Sequence, residues 1–359
     1  MNAPPQLRIP LVDVRDGGPP RHARESAAKA RALRDACLRF LPPAGLPLVP
    51  ALDWLSRRAL VRTRSPYVAE IAQIAAALDV SGVWLLNAAY HWGCTARACE
   101  HAGVPWLLRT LDWPFQGLGR HAEIAHMRGA GGDFFSVTWP GYVGVLTAMA
   151  AGRFAAALNQ APMWRRTRHP WLRPFDLAAN AVSAAAEAGR MPPDQLLRRA
   201  FEVCDDFAAA RRLLEATPVA RPVIYTLVGC GTGERCVIER TQSDFVTRSE
   251  DTCAANDWVP CRPGWEGRIG TRRFLASSFA EAAGLSRARR EALARWNGPL
   301  SAMRFDWVQE PVLNPYTRLA VAMSPASGIL GAVAYEVTGK LLPEAVARTG
   351  EAEPLAPTA

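Results

Sequence analysis

Lysine is nearly absent from this 359-residue sequence: Lys29 and Lys340 are the only two, so a combined Lys and Arg total of 42 is almost all arginine. The arginines run from end to end, and no concentrated basic stripe with interleaved aromatics marks a nucleic-acid face. The nearest approach, Trp164 to Arg173, reads as an exposed loop, and no nucleic-acid partner is expected. Long apolar runs are also missing: none reaches the roughly 18 residues of a membrane-spanning helix. Met1 to Pro5 lacks the basic-then-apolar pattern of a signal peptide, so the expected location is the cytoplasm. Neither Cys-x-x-Cys nor a paired His-x-x-x-His occurs, so no metal and no cofactor is expected. Eight cysteines without an export signal should stay reduced. There is no Gly-x-Ser-x-Gly elbow and no His-Glu-x-x-His. The glycine-rich stretch at 229–233 lacks the Lys-Ser/Thr of a phosphate loop and reads as a hairpin turn.

With 49% hydrophobic and 21% charged residues, the chain buries a full core. Helical spacing appears at 22–40 and again at 66–92, where Val68, Ile71, Ile74, Ala75 and Leu78 share a face and Asp79 to Gly82 makes a break. From Thr95 the texture changes to short runs at 95–99, 104–113, 122–128, 133–139, 143–149 and 153–159, which predict strands. Helices follow at 175–188, 193–201 and 208–216, strands at 222–229 and 235–240, helices at 270–283 and 286–296, and strands at 317–323 and 329–336. Strand runs separated by helix runs predict an α+β fold, with antiparallel sheets and helices packed outside them. Residues 346–359 read as a flexible tail.

Cys94 stands at the junction between the helical front and the strand-rich body, directly after Gly93. A thiol at the start of a strand, next to a glycine that lets backbone approach closely, can attack the peptide bond ahead of it. Cutting there leaves Cys94 as a new amino terminus. Its α-amine (pKa about 7.7 to 8.0) and thiol (about 8.5) can then exchange a proton near neutral pH. On chemistry alone a buried structural thiol is the commoner reading. Arg109 and Asp112 likewise read as a strand-end ion pair, and Asn256 as a turn cap.

The surrounding residues resemble the cysteine amidases of the N-terminal nucleophile hydrolase superfamily, in particular the acid ceramidase and N-acylethanolamine-hydrolysing acid amidase group. Tyr67 to Leu78 is similar to the helix ahead of that group's cleavage site, and Leu85 to Tyr90 with Cys94-Thr95 to its approach to the nucleophile. Gly93-Cys94-Thr95 also resembles the cleavage site of the acyl-coenzyme A:6-aminopenicillanate acyltransferases, relatives of penicillin V acylase. Leu108 to Phe115 resembles the group's Arg-Asn-Leu-Asp-aromatic-Pro-Phe segment, and Gly141 to Met149 with Phe154 to Asn159 its paired strands ending in Leu-Asn-Glu-Arg. Pro222 to Arg240 is similar to its later hairpin, Asn256-Asp257-Trp258 to its oxyanion segment, and Arg272-Arg273 to the arginines after it.

The resemblance implies a four-layer αββα sandwich, with residues 1–93 as a helical pro-part and 94–345 as the catalytic body. It implies self-cleavage between Gly93 and Cys94, with the two pieces staying together, and hydrolysis of an N-acyl amide, fatty-acid amide or ceramide-like, through a Cys94 thioester. Arg109, Asp112 and Asn256 are the implied catalytic partners, with Arg109 holding Asp112, Asp112 the amine, and Asn256 donating to the oxyanion. Asn159, Gln160 and Arg272 are secondary candidates; Gln160 stands where acid ceramidases carry a glutamate. Trp113, Phe115, Trp139 and Tyr142 suit an apolar acyl chain, and a weak contact with a membrane surface would bring a lipid amide within reach. The alternatives are an acyltransferase that passes the same thioester to an amine, and an inactive binding relative of the fold.

Overall fold

The structure is a computed structural model that describes residues 7–39, 41–89, 93–187, 189–250, 252–266 and 279–350. Two largely antiparallel sheets form its centre. The first has seven strands in the order Leu7–Arg8, Glu344–Arg348, Ile329–Glu336, Thr317–Ser324, Val104–Asp112, Gly93–His101, Cys253–Ala254. The second has eight, in the order Phe245–Arg248, Arg235–Arg240, Val223–Val228, Phe154–Gln160, Thr147–Ala150, Gly132–Thr138, Glu123–Gly129, Leu11–Asp13. The hairpin between Gly93–His101 and Val104–Asp112 turns through Ala102 and Gly103, both at positive φ (52° and 75°), as a two-residue turn matched to strand twist requires.

Side-chain alternation sorts each central strand between two cores. Cys94, Ala96, Ala98, Leu107 and Leu111 face inward and pack with Met149, Leu158 and Tyr225 of the second sheet. Cys99, Trp106, Leu108 and Ala320 face outward, against Leu293 of the helix Phe279–Arg295. Helices Pro193–Val203 and Phe207–Ala216 cover the other sheet, where Phe201 stacks on Phe134 and Phe154. The order is therefore helix, sheet, sheet, helix, the αββα sandwich that the resemblance implied.

Helices Gly18–Glu25, Ala27–Leu38, Val49–Arg62, Val68–Leu78 and Val83–Ala88 make the front. Ile71 and Ile74 are fully buried there, each contributing about 1.5 to 3 kcal/mol. The break expected after Leu78 is present, with Asp79 and Gly82 both in the left-handed region. No helix among the described residues is long and apolar enough to cross a membrane.

Several expectations need correction. The stretch 1–93, expected to be a helical pro-part, is not wholly helical, because Leu7–Arg8 and Leu11–Asp13 add edge strands to the two sheets, each pairing in parallel with a strand from later in the chain. These runs are too short to show periodicity. The expected tail begins too early: Glu344–Arg348 pairs with Ile329–Glu336, and 351–359 lie outside the described residues. Helix Val49–Arg62 was missed because Pro47 and Pro50 punctuate its start, and the run at 143–149 is strand only over Thr147–Ala150. The break expected between helices at 270–283 and 286–296 is absent among the described residues, where Phe279–Arg295 runs as one helix through Gly284, while 267–278 lie outside the described residues.

Candidate active site

Cys94 is fully buried near the start of its strand, with Leu111 as its cross-strand neighbour. Arg109 lies two pairs further along the same inner face, and its Nη2 donates to Cys94 Sγ at 3.0 Å. The guanidinium also donates to the Leu158 carbonyl at 3.0 Å and to Thr147 Oγ1, so the second sheet holds it in place. Burial pushes the Cys94 thiol up; Arg109 pulls it down, Asp112 pushes it up, and Arg289 adds a further downward pull, with the net direction upward.

The Cys94 backbone N–H donates to Asn256 Oδ1 at 3.0 Å. Arg289 Nη2 donates to that same oxygen at 2.8 Å, which fixes which end of the carboxamide faces Cys94. Asn256 Nδ2 donates to the Gln160 carbonyl at 2.9 Å. Asn256 therefore meets the Cys94 nitrogen with its oxygen, whereas the resemblance implied an oxyanion donor. Gln160 touches this arrangement through its backbone, and Asn159 Nδ2 steadies the approach to Asn256 by donating to Ala254 and Ala255 carbonyls at 3.2 and 3.1 Å.

Asp112 is buried opposite Gly93 in the strand register. Its Oδ1 accepts from Thr317 Oγ1 at 2.9 Å, and its Oδ2 accepts no hydrogen bond among the described residues. The expected Arg109 to Asp112 pair is not formed. Residues three apart on a strand point to opposite faces, so Arg109 enters the space between the sheets while Asp112 faces the outer helix. The cation beside Asp112 is instead Arg289, whose Nε lies 3.7 Å from Oδ2 and donates to Thr95 Oγ1 at 3.2 Å.

Arg289 was missed by the sequence reading, and Arg272 and Arg273 lie outside the described residues. Burial pushes the Arg289 guanidinium below its usual range, offset by the charges of Asp112 and Asp257. A signal for it exists: Ala282, Ser286, Arg289 and Leu293 fall on one helix face, so two polar residues occupy positions expected to be apolar. Ser286 Oγ accepts from Asn256 N at 2.8 Å and donates to Asp257 Oδ1 at 2.7 Å, which locks that helix onto the site.

A small apolar cavity of about 50 Å³ is lined by Trp113, Phe115, Trp139 and Tyr142, the four residues that suited an acyl chain, together with Leu33, Cys37, Leu78 and Leu86 of the front helices. Cys94, Trp113, Trp139, Leu33 and Cys37 belong to one packed cluster.

No protein-family model matches the chain. It is 27% identical over 184 residues to the N-acylethanolamine-hydrolyzing acid amidase of Cavia porcellus and 29% identical over 183 residues to that of Rattus norvegicus. Each match takes in 49% of this chain, which spans about half the length of these curated relatives (49% and 47%). Among solved structures, the Caenorhabditis elegans N-acylethanolamine-hydrolyzing acid amidase ortholog matches with a TM-score of 0.46 and 17% identity, over 66% of this chain and 93% of that one. A conjugated bile acid hydrolase from Clostridium perfringens matches with a TM-score of 0.35 and 12% identity, over 70% and 92%. The relatives found by sequence bear out the resemblance carried by the motifs around Cys94: across about half of its length this chain is similar to the N-acylethanolamine-hydrolyzing acid amidases.

Proposed function

We propose that this protein is a cysteine amidohydrolase that cuts itself between Gly93 and Cys94 and then hydrolyses N-acyl amides with an apolar acyl chain. The observation that carries the reading is the buried Cys94, with a guanidinium 3.0 Å from its sulfur and a carboxamide oxygen 3.0 Å from its nitrogen. A cation there favours the thiolate, and a fixed nitrogen fixes the direction of attack. The names of the relatives support the amide substrate.

In maturation Cys94 Sγ bonds to the Gly93 carbonyl carbon, and the Gly93 to Cys94 carbon–nitrogen bond breaks, leaving a thioester and the free Cys94 amine. Water then cleaves the thioester to the Gly93 carboxylate and the Cys94 thiol. The new ammonium carries more hydrogens than the amide did, and Asn256 Oδ1 takes one of them. Asp112 Oδ2, buried and accepting no hydrogen bond among the described residues, is an acceptor for another. In turnover the ammonium first loses one proton to solvent; the thiol then gives its proton to the resulting amine, attacks the substrate carbonyl and forms an acyl thioester, the ammonium so formed returns the proton to the leaving nitrogen, and water completes hydrolysis.

The pro-part stays with the body after the cut. His22 Nε2 lies 2.5 Å from Glu123 Oε2, Lys29 pairs with Glu123 Oε1, and Glu70 pairs with Arg198 at 2.6 Å, all across the cut. Lipid amides reach the pocket by way of a membrane surface, through Leu48, Leu52, Trp54 and Leu55 near the start of helix Val49–Arg62, with Phe175 and Val182 of the adjoining helix Arg173–Ala186, all exposed.

The test is product analysis with a long-chain N-acyl amide, in water and with competing amines. Free acid and amine, with an acyl adduct on Cys94 after rapid quenching, is the expected result. Transfer to the added amine in preference to water assigns an acyltransferase instead, and no turnover by self-cut protein refutes the amidase reading.

A further inference from the structure

The chain ahead of the proposed cut is gripped from both sides. Helix Val83–Ala88 starts with the Asp53 carboxylate accepting from Leu85 N–H at 2.9 Å, and Val83 and Trp84 are buried beneath it. At its other end Asn87 is buried and bridges to the body: Nδ2 donates to the Gly141 carbonyl at 2.9 Å, and Oδ1 accepts from Val143 N–H at 3.0 Å. One residue later the direction reverses. Arg221, at the entry to strand Val223–Val228 of the body, donates through Nη1 to the Ala88 carbonyl at 3.1 Å. The guanidinium lies in the field of Asp194 and Tyr142, and the Tyr142 hydroxyl donates to Asp194 Oδ2 at 2.8 Å. Burial pushes the Asp194 carboxyl up to about 7.

Downstream, the register pairs of Gly93 with Asp112 and Cys94 with Leu111 hold the other side of the scissile peptide. Only residues 89–92 separate the Ala88 anchor from the sheet. With Ala88 anchored five residues ahead of Gly93, and Gly93 itself in the sheet, the entropy of bringing the Gly93 carbonyl to the sulfur is met in folding.

We propose that Asn87 and Arg221 are positioning residues for self-cleavage, clamping the pro-part's last helix so that the scissile carbonyl is held against Cys94. This rests on the self-cleavage reading above. Asn87 is a pro-part residue that grips the body, and Arg221 is a body residue that grips the pro-part. The grip is reciprocal and does not depend on the bond that breaks, so the same contacts retain the new carboxyl end afterwards.

The experiment follows the cut in freshly refolded full-length chains by intact mass, at a temperature where circular dichroism shows each chain fully folded. Arg221→Ala should cut about 10- to 100-fold more slowly than the wild type, the loss expected from displacing reacting groups by about an ångström. Arg221→Lys, which keeps a cation and a donor, should recover most of that rate. Hydroxylamine, which cleaves a thioester once formed, should not restore the alanine variant, because the defect precedes thioester formation. If Arg221→Ala does not fold, Arg221→Gln reports on the same contact and should fall between the lysine variant and the alanine expectation. Cutting at the wild-type rate by folded Arg221→Ala or Arg221→Gln overturns the clamp and leaves self-cleavage standing. Restoration by hydroxylamine also overturns it, since the carbonyl would then have reached the sulfur unaided. A wild-type chain that never cuts overturns the self-cleavage reading and the clamp together.

Discussion

Arg109→Met keeps most of the side-chain stem and removes the guanidinium from Cys94. At 3.0 Å and an effective dielectric constant of about 20, a guanidinium and a thiolate attract by about 5.5 kcal/mol, which is a ceiling on what the contact gives the ionised sulfur. An opposite charge at a buried site usually realises about one to three powers of ten in acid dissociation. Self-cleavage near neutral pH should therefore slow by about 10- to 1000-fold. Burial already holds this thiol above its usual range, and losing Arg109 moves it further the same way. The rate should then keep rising with pH beyond the point where the wild type levels off. The substitution also leaves the Leu158 carbonyl and the Thr147 hydroxyl without their donor, at about 1 to 3 kcal/mol each, so the melting temperature should fall. The assay is the self-cleavage rate from pH 6 to 10 by intact mass, well below the melt. A profile that levels off at the wild-type pH with only a lower plateau would refute the electrostatic role and leave Arg109 as a tie between the sheets.

Arg289→Met should lower turnover of cut enzyme about 10- to 100-fold, because Asn256 and Asp112 lose their shared cation; wild-type turnover would show that this arginine only fixes its helix. Glu123→Gln should destabilise the fold above about pH 5 and make no difference below the folded-state value of that carboxyl. Burial pushes the group up, but His22 and Lys29 outweigh it and hold it below its usual range, so its stabilisation is present above the unfolded value and lost on acidification. Chemical melts at pH 4 and pH 7 check this, and equal destabilisation at both would contradict it. Cys37→Trp, in the wall that the front helices give the pocket, should raise KM for long acyl chains more than for short ones, and an equal change for both would remove the pocket from substrate binding.

Much of this was legible because the residues concerned lie close together in sequence. Gly93-Cys94-Thr95 and Asn256 were singled out by their resemblance to a known family rather than by local chemistry, and the structure brings the nitrogen of Cys94 onto Asn256 across 162 positions. The Arg109 to Asp112 pairing went wrong through strand parity, which a motif of spacing three does not express until the residues between are known to be extended. Arg289 was illegible for a different reason: its partners come from two strands and the turn at 256, and an arginine among many draws no attention unless its helix face is assigned first. Trp113, Phe115, Trp139 and Tyr142 converge on one pocket because alternation places Trp113 and Phe115 on one side of their segment. The wall from the front helices could not be read, since only tertiary packing brings Leu33 and Cys37 there.

The most direct test of the whole account is the intact mass of the purified chain alongside Cys94→Ala. The account predicts two noncovalently associated pieces, 1–93 and 94–359, with Cys94 as the amino terminus of the second, and a single uncut chain for the alanine variant. An uncut wild-type chain that nevertheless hydrolyses N-acyl amides at full rate, or an alanine variant that cuts at the same bond, would contradict it.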